Sequence, residues 1–353
     1  MAEADITATT SGGDRNWSTG ATWVGGVKPA TDQHAIIPSG AAVTLDGNEE
    51  IASLVVASGG TITGNASYSL TINSEGDTTY GEHYQAVQIT GAIGTNLNLI
   101  LTYSGTCEYN TESTSGRVHN LTISSDQVFW ENGVSLAGDL VVDAGKIFRA
   151  YNKTKTLTVD GDVTCNGTIN CTGIDPVAIG EQAVSFKSLT IGSDGTYEGT
   201  SGTTTVFNTA GSSYAFNNAG TYTPHGGTLQ IGNGTTPDGG ASHIKSNNFH
   251  HLTINTGVSA PNGNVPWRPN SGTEVTIAGD LTVTKGRFYR NNSSNSLIVD
   301  GHVDIEANGQ VGTSAASGSN TFGSLEVSTG GTYLATSGTT TITSRTGGGY
   351  SWY

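Results

Sequence analysis

Two pairs of aspartates come closest to a catalytic pattern in this chain: Asp139 with Asp160, and Asp280 with Asp300. Paired carboxylates are what glycoside hydrolysis needs, one to protonate the leaving oxygen and one to attack or to activate water. Each of these aspartates, however, sits beside glycine in a recurring phrase: AGDLVV at 137–142, DGDVTC at 160–165, AGDLTV at 278–283 and DGHVDI at 300–305. A residue repeated within one chain serves whatever is repeated, which is the fold, and Asp beside Gly is ordinary turn chemistry. The aspartates are expected to shape corners, and no catalytic residue is assigned.

Other residue types suggest binding. Arg149 follows Ile147-Phe148, and Arg290 follows Phe288-Tyr289 in the matching stretch. With Tyr151, Lys153 and Arg287 they form an edge rich in planar and basic groups. Such groups hydrogen-bond to and stack on sugars, or else form a polar ladder between neighbouring coils. Trp130 in QVFWENG and Trp267 in NVPWRPN lie in the less repetitive segments. Trp267-Arg268-Pro269 reads as an exposed platform on a loop, where binding usually resides, or as a ring folded over the flank of the fold. The candidate glycan-contacting residues are therefore Trp130, Trp267, Arg268, Arg149, Tyr151, Tyr289 and Arg290. His250 and His251 would point to opposite faces of a strand, and no acidic partner has ligand spacing, so no metal is expected. His119 and His250 are equivalent between repeats, which suits a ladder or corner. Phosphate-loop, dinucleotide, EF-hand and nucleophile-elbow motifs are missing, and no cofactor is expected.

The elements that must position these groups follow from self-similarity. The hexad apolar-x-x-Leu-x-(Ile/Val) occurs at Ile51 (IASLVV), Val118 (VHNLTI), Phe186 (FKSLTI), Phe249 (FHHLTI) and Phe322 (FGSLEV). Inside that spacing the Gly-Asp phrases recur after about 22 residues, the length of one coil built from two or three short strands. Residues 118–207 also run parallel to 249–343, so the chain ends partway into a repeat. Strands such as LTVDGDVTC alternate in and out, and no ten residues carry a helical period. The fold class expected is all-β: a single-stranded right-handed parallel β-helix, a β-solenoid with an N-terminal cap. Residues 1–33 form the cap or attachment segment and residues 34–353 the helix. An array of β-sandwiches is the rival.

Composition narrows the function. Gly at 51 of 353 residues and a charged fraction of only 12% suit turn-rich β-structure. A net charge of −15 leaves no basic stripe for phosphates, so nucleic acid is not an expected partner. No apolar run reaches the length of a membrane span, and the first residues show no ordinary secretory signal. Three cysteines, Cys107, Cys165 and Cys171, make no disulfide framework. Cys165 and Cys171 either pair across adjacent turns or are small buried residues.

The segment NWSTGATWVGGVKPATDQHAIIPSG carries Trp17, Ser18, Thr22, Trp23, Gly25, Gly26 and Pro29, then Asp32, Ile36, Pro38, Gly40, Val43, Leu45 and Asp46. Over residues 14–75 it resembles the start of G8-type modules and of phage structural proteins with β-solenoid bodies. The later F-x-x-LTI repeats resemble those of phage fibres and bacterial adhesins. The resemblance implies a non-enzymatic structural and attachment protein of the virion surface: a tail fibre, tailspike or capsid decoration. It would contact host-surface glycan and be held by other virion proteins or by its own copies, a homotrimer among the options. An extracellular adhesin on a bacterial cell surface is the alternative, and a polysaccharide lyase or hydrolase the third reading. A solenoid end exposes apolar side chains and unpaired backbone. Trp17, Trp23, Gly25, Gly26 and Pro29 are therefore expected to seal the first coil, and Tyr350, Trp352 and Tyr353 to cover the last or to enter an interface.

Overall fold

The computed structural model describes residues 4–10, 15–74, 79–80, 83–152, 154–173, 180–207, 214–235, 242–269, 272–292, 294–313 and 316–343. Tyr350, Trp352, Tyr353 and Lys153 lie outside the described residues. A single 3-10 turn, Gly20–Thr22, is the only helical element among those described. Nearly all strands pair in parallel within stacked coils of about 23 residues, so the fold is a β-solenoid. The chain divides into two compact units, Met1–Ala178 and Ile179–Tyr353.

In the first unit each coil contributes short strands to three ladders. One runs through Asp5–Thr7, His34–Ile37, Ser53–Val56, His83–Ile89, Thr106–Thr111, Gln127–Trp130, Ile147–Ala150 and Thr168–Asn170. A second joins Glu49–Ile51, Leu70–Ile72, Asn98–Leu101, Asn120–Ile123, Leu140–Val142 and the end of Leu157–Cys165. The third holds Ala42–Thr44, Thr61–Thr63 and Ala92–Ile93 and, further along, Val134–Leu136 against the start of Leu157–Cys165. Because Asp5–Thr7 pairs with His34–Ile37, the sheet already begins within the segment read from sequence as a cap.

Parallel register stacks like on like. Leu70, Leu99, Leu121, Leu140 and Val163 are successive partners, and all are buried. Each such side chain removed from water contributes about 1.5–3 kcal/mol. The second unit repeats the device with the buried Leu229, Leu252, Leu281 and Val303, the last paired with the half-buried Leu325. A neighbouring ladder there carries Phe216–Asn218, Ile244–Lys245, Asn264–Arg268 and the end of Leu281–Arg290.

All five hexads do the same work. Ile51 pairs with Ile72 while Leu54, three residues on, pairs with Val87 in a different ladder. Val118 bridges Leu136 and Leu121 pairs with Leu140. Phe186 pairs with Val206 and Leu189 with Phe216; Phe249 with Ile277 and Leu252 with Leu281; Phe322 with Val299 and Leu325 with Val303. The hexad is thus a corner. Its first apolar residue closes one face, two residues turn, and its Leu opens the next.

The Gly-Asp phrases are corners as well, but their aspartates act between coils rather than inside one turn. Asp139 Oδ1 accepts the Asp162 N–H of the next coil (2.8 Å), and Asn120 Oδ1 accepts the Asp139 N–H (2.7 Å). In the second unit Asp280 Oδ1 accepts from His302 N (2.7 Å), and His251 Nδ1 accepts from Asp280 N (2.9 Å). Gly161 and Gly301 are required by this stacking. A Cβ on either would overlap the aspartate oxygen and the glycine carbonyl of the preceding coil. Asp160 is used differently, in an ion pair with Arg117.

Candidate functional site

The opening motif is folded on itself, with its two tryptophans packed together. Trp17 and Trp23 are buried and meet edge to face at 4.8 Å, and Trp23 Nε1 donates to the Trp17 carbonyl (2.8 Å). Ser18, next to Trp17, donates through its backbone N–H (2.9 Å) and its hydroxyl to Asp46, in the second half of the motif. Gly25 and Gly26 have φ of 91° and 79°, which lets the chain reverse before the buried Pro29. None of these groups offers a ring face to a ligand.

The tryptophan platforms expected from sequence are corrected. Trp130 is 0% and Trp267 2% exposed. Both lie in strands, Gln127–Trp130 and Asn264–Arg268, with their rings turned inward onto Phe148 (4.4 Å) and Phe288 (5.8 Å). Alternation explains this. Val128 and Val265 are core residues, so the tryptophans two positions on point the same way.

Arg149 and Arg290, equivalent in the repeat, occupy different environments. Arg149 stands outside its sheet, half-buried, its guanidinium 5.8 Å from the Phe129 ring centre and donating to the Gly173 carbonyl (3.0 Å). Tyr151 packs edge-on against the same Phe129. Arg290 is buried at 5% exposure against Trp267 and donates to Asn295 O, Ser319 O and the Asn320 side chain. In the first unit a turn at Asp143–Lys146 separates the two strands, whereas Leu281–Arg290 runs through as one strand with an irregularity after Val283. The resulting one-residue slip exchanges inside and outside. Arg290 is therefore a polar tie between coils, and burial of the guanidinium lowers its pKa.

Tyr289, on the outward side of that strand, and Arg268 are brought together with groups the sequence reading passed over. Register places Lys245 beside Arg268, Pro266 beside Tyr289, and Asn264 beside Arg287. The outward row Asn217, Lys245, Arg268 thus crosses three successive coils. The Arg268 guanidinium lies over the Tyr214 ring at 4.8 Å, and that of Arg287 over Tyr289 at 4.6 Å. His243, at the edge of Tyr214 (5.8 Å), is held towards its neutral form by burial. All these residues except Pro266 are half-buried, and among the described residues Lys245, Arg268 and Arg287 have no carboxylate partner. Arginine on tyrosine in two neighbouring coils makes a flat, cationic, aromatic sheet face.

A second cluster lies in the first unit and was also missed. Glu108 (0% exposed), Gln85 (1%) and Glu131 (8%) are buried, and both Glu108 oxygens lack a hydrogen-bond partner. Burial, with the Glu131 charge adding to it, pushes the Glu108 carboxyl up to about 8. Gln85 pulls the other way from close by but makes no well-formed hydrogen bond to it. Glu131 is also raised by burial, against the opposing charge of Lys155. The signal available in sequence was uniqueness: TCEYNT and FWENG have no counterpart in the other repeats.

The histidine expectation changes too. His250 and His251 sit at a corner, so their rings meet at 4.4 Å instead of facing apart. No group of three or more His, Cys, Asp or Glu among the described residues is arranged to hold a metal. Cys107, Cys165 and Cys171 are buried, and no disulfide joins Cys165 to Cys171.

No family model matches the chain, and neither the curated proteins nor the solved structures give a match. The likeness of residues 14–75 to G8-type modules rests on the motif residues alone.

Proposed function

We propose that this chain is a non-enzymatic structural and attachment protein of a virion surface that contacts host-surface glycan. The observation that carries the glycan part is the outward face of the second unit, where Arg268 stacks on Tyr214 and Arg287 on Tyr289 in neighbouring coils. Rings that present a flat apolar surface beside fixed hydrogen-bond donors suit sugars, whose faces are apolar and whose edges are hydroxyl. The virion placement draws its support from the phage-like opening motif and hexad repeats. A bacterial cell-surface adhesin is the other placement with the same support.

The absence of assigned chemistry follows from how the carboxylates are used. Asp139 and Asp280 hold backbone N–H groups, Asp160 holds Arg117, and Glu108 is closed off from solvent. A glycan array probed with the full chain tests the binding role. Retention on defined polysaccharides, lost in Tyr289→Ala, is expected, and retention on none would overturn it. Reducing-sugar release from those polysaccharides would overturn the non-enzymatic reading. Immunogold labelling with an antibody to the chain decides between particle and cell envelope.

A further inference from the structure

We infer that the outward face of the second unit is built for an acidic polysaccharide, one bearing carboxylate or sulfate groups, held by Lys245, Arg268 and Arg287. This rests on the glycan-contact reading above and gives it a ligand class. The chain carries a net charge of −15, with only 14 Lys and Arg against 29 Asp and Glu. Other cations of the chain hold carboxylates, as Lys28 does with Glu49, Lys146 with Asp126 and Arg117 with Asp160, or carbonyl and amide oxygens, as Arg149, Arg290 and Lys155 do. The three on this face do not, among the described residues. Taking a cation partly out of water without a counter-ion is unfavourable. The Nε atoms of both Arg268 and Arg287 are buried with no hydrogen-bond partner.

The geometry fits an extended anionic chain. Lys245 and Arg268 are register partners on adjacent strands, about 4.8 Å apart. Arg287 lies on the next strand, where Trp267 pairs with Arg290, so it sits four residues, or ~13 Å, along the strand from the position beside Arg268. Tyr289 lies between these two cationic points. Each guanidinium plane is fixed by its tyrosine, which leaves the outer fork available for the bidentate contact that carboxylates and sulfates prefer. Asn217 and Asn264 border the two ends, each with a buried carbonyl oxygen lacking a donor, matched to sugar hydroxyls. A nucleic acid is the poorer fit. Its uniform charge would meet three local cations on a strongly acidic chain, too few to release many counter-ions.

The test uses the full chain in affinity electrophoresis with polygalacturonate, chondroitin sulfate, neutral dextran and duplex DNA, at low and at physiological salt. Retardation by one or both acidic polysaccharides is expected, weakened by salt and at least ten-fold weaker in Arg268→Ala/Arg287→Ala. Lys245→Gln, which loses no side-chain hydrogen bond or ion pair among the described residues, should weaken it several-fold, and Lys146→Ala in the other unit should leave it unchanged. Equal retardation by dextran and polygalacturonate would overturn the charge inference while leaving glycan contact standing. Retardation by DNA alone would overturn the ligand class. Retardation by no polysaccharide would overturn this inference together with the reading it rests on.

Discussion

Gln85 and Glu108 are register partners on adjacent strands of the first unit, and none of their four side-chain polar atoms has a hydrogen-bond partner. Glu108 is also the register partner of Phe129, and Arg149 follows Phe129 in the next coil, so the buried carboxyl lies in a row between Gln85 and Phe129. A carboxyl so placed is neutral when the fold is most stable.

The sign of the pH dependence follows. Glu108 titrates near its usual 4.5 when unfolded and at about 8 when folded, so the native state holds the proton more tightly. Its contribution to stability is complete below about pH 4.5 and is lost as pH rises to about 8. Thermal melting of the wild type is expected to fall across that window. Glu108→Gln should flatten the fall, with a gain at pH 9 of roughly 2–4 °C for each kcal/mol of relieved desolvation. A wild-type melting temperature that rises from pH 5 to 8 would contradict the assignment.

The corner aspartates give a sharper contrast. Asp280→Ala removes the acceptor for the His302 N–H and should cost about 0.5–2 kcal/mol. Asp280→Asn keeps a carbonyl oxygen at Oδ1 and should be close to neutral. Urea denaturation of both variants measures the difference, and equal losses would mean that the charge matters and the hydrogen bond does not.

Trp267→Ala should destabilise by about 3–5 kcal/mol, because the ring is part of the core. Trp267→Phe, which keeps an inward aromatic on Phe288, should lose far less and retain glycan binding in full. Loss of binding in a Trp267→Phe protein with unchanged melting would show that the ring reaches a ligand after all.

Gly301→Ala tests the stacking itself. The added methyl meets Asp280 Oδ1 and the Gly279 carbonyl of the preceding coil, and the backbone must move. A loss of at least 1–3 kcal/mol is expected in chemical denaturation, whereas Gly272→Ala, with nothing near its Cβ, should show only the smaller strain of its φ of 69°.

The period of the fold was legible because parallel stacking puts like residues over like. The five hexads and the Gly-Asp phrases resemble one another because each makes the same kind of corner between two ladders. Asn120 and His251 were harder to recognise, since an amide oxygen and an imidazole nitrogen do one job at equivalent corners, accepting from Asp139 N and Asp280 N. Arg290 was misread for a different reason. Repeat alignment carries residue identity but not pleat parity, and a turn in one unit replaced by continuous strand in the other reverses which side chains face the core. Arg268, Arg287 and Tyr289 of the cationic face stood out in sequence as basic and planar groups, but their grouping with Tyr214 and Lys245 did not. Tyr214, Lys245, Arg268 and Arg287 are scattered over more than seventy residues, and only register brings them side by side.

Three side-chain hydrogen bonds at the corners of the first unit run one way. Asn120 Nδ2 donates to Asn98 Oδ1, Asp139 N to Asn120 Oδ1, and Asp162 N to Asp139 Oδ1, so each coil receives its acceptor from the coil before it. Inheritance in this spine is vectorial. Loss of the Asp139 side chain leaves that corner's own N–H satisfied by Asn120 and orphans the Asp162 N–H, so the backbone damage is read one coil downstream. A chain emerging from its N-terminus would meet, at each of these corners, an acceptor already in place.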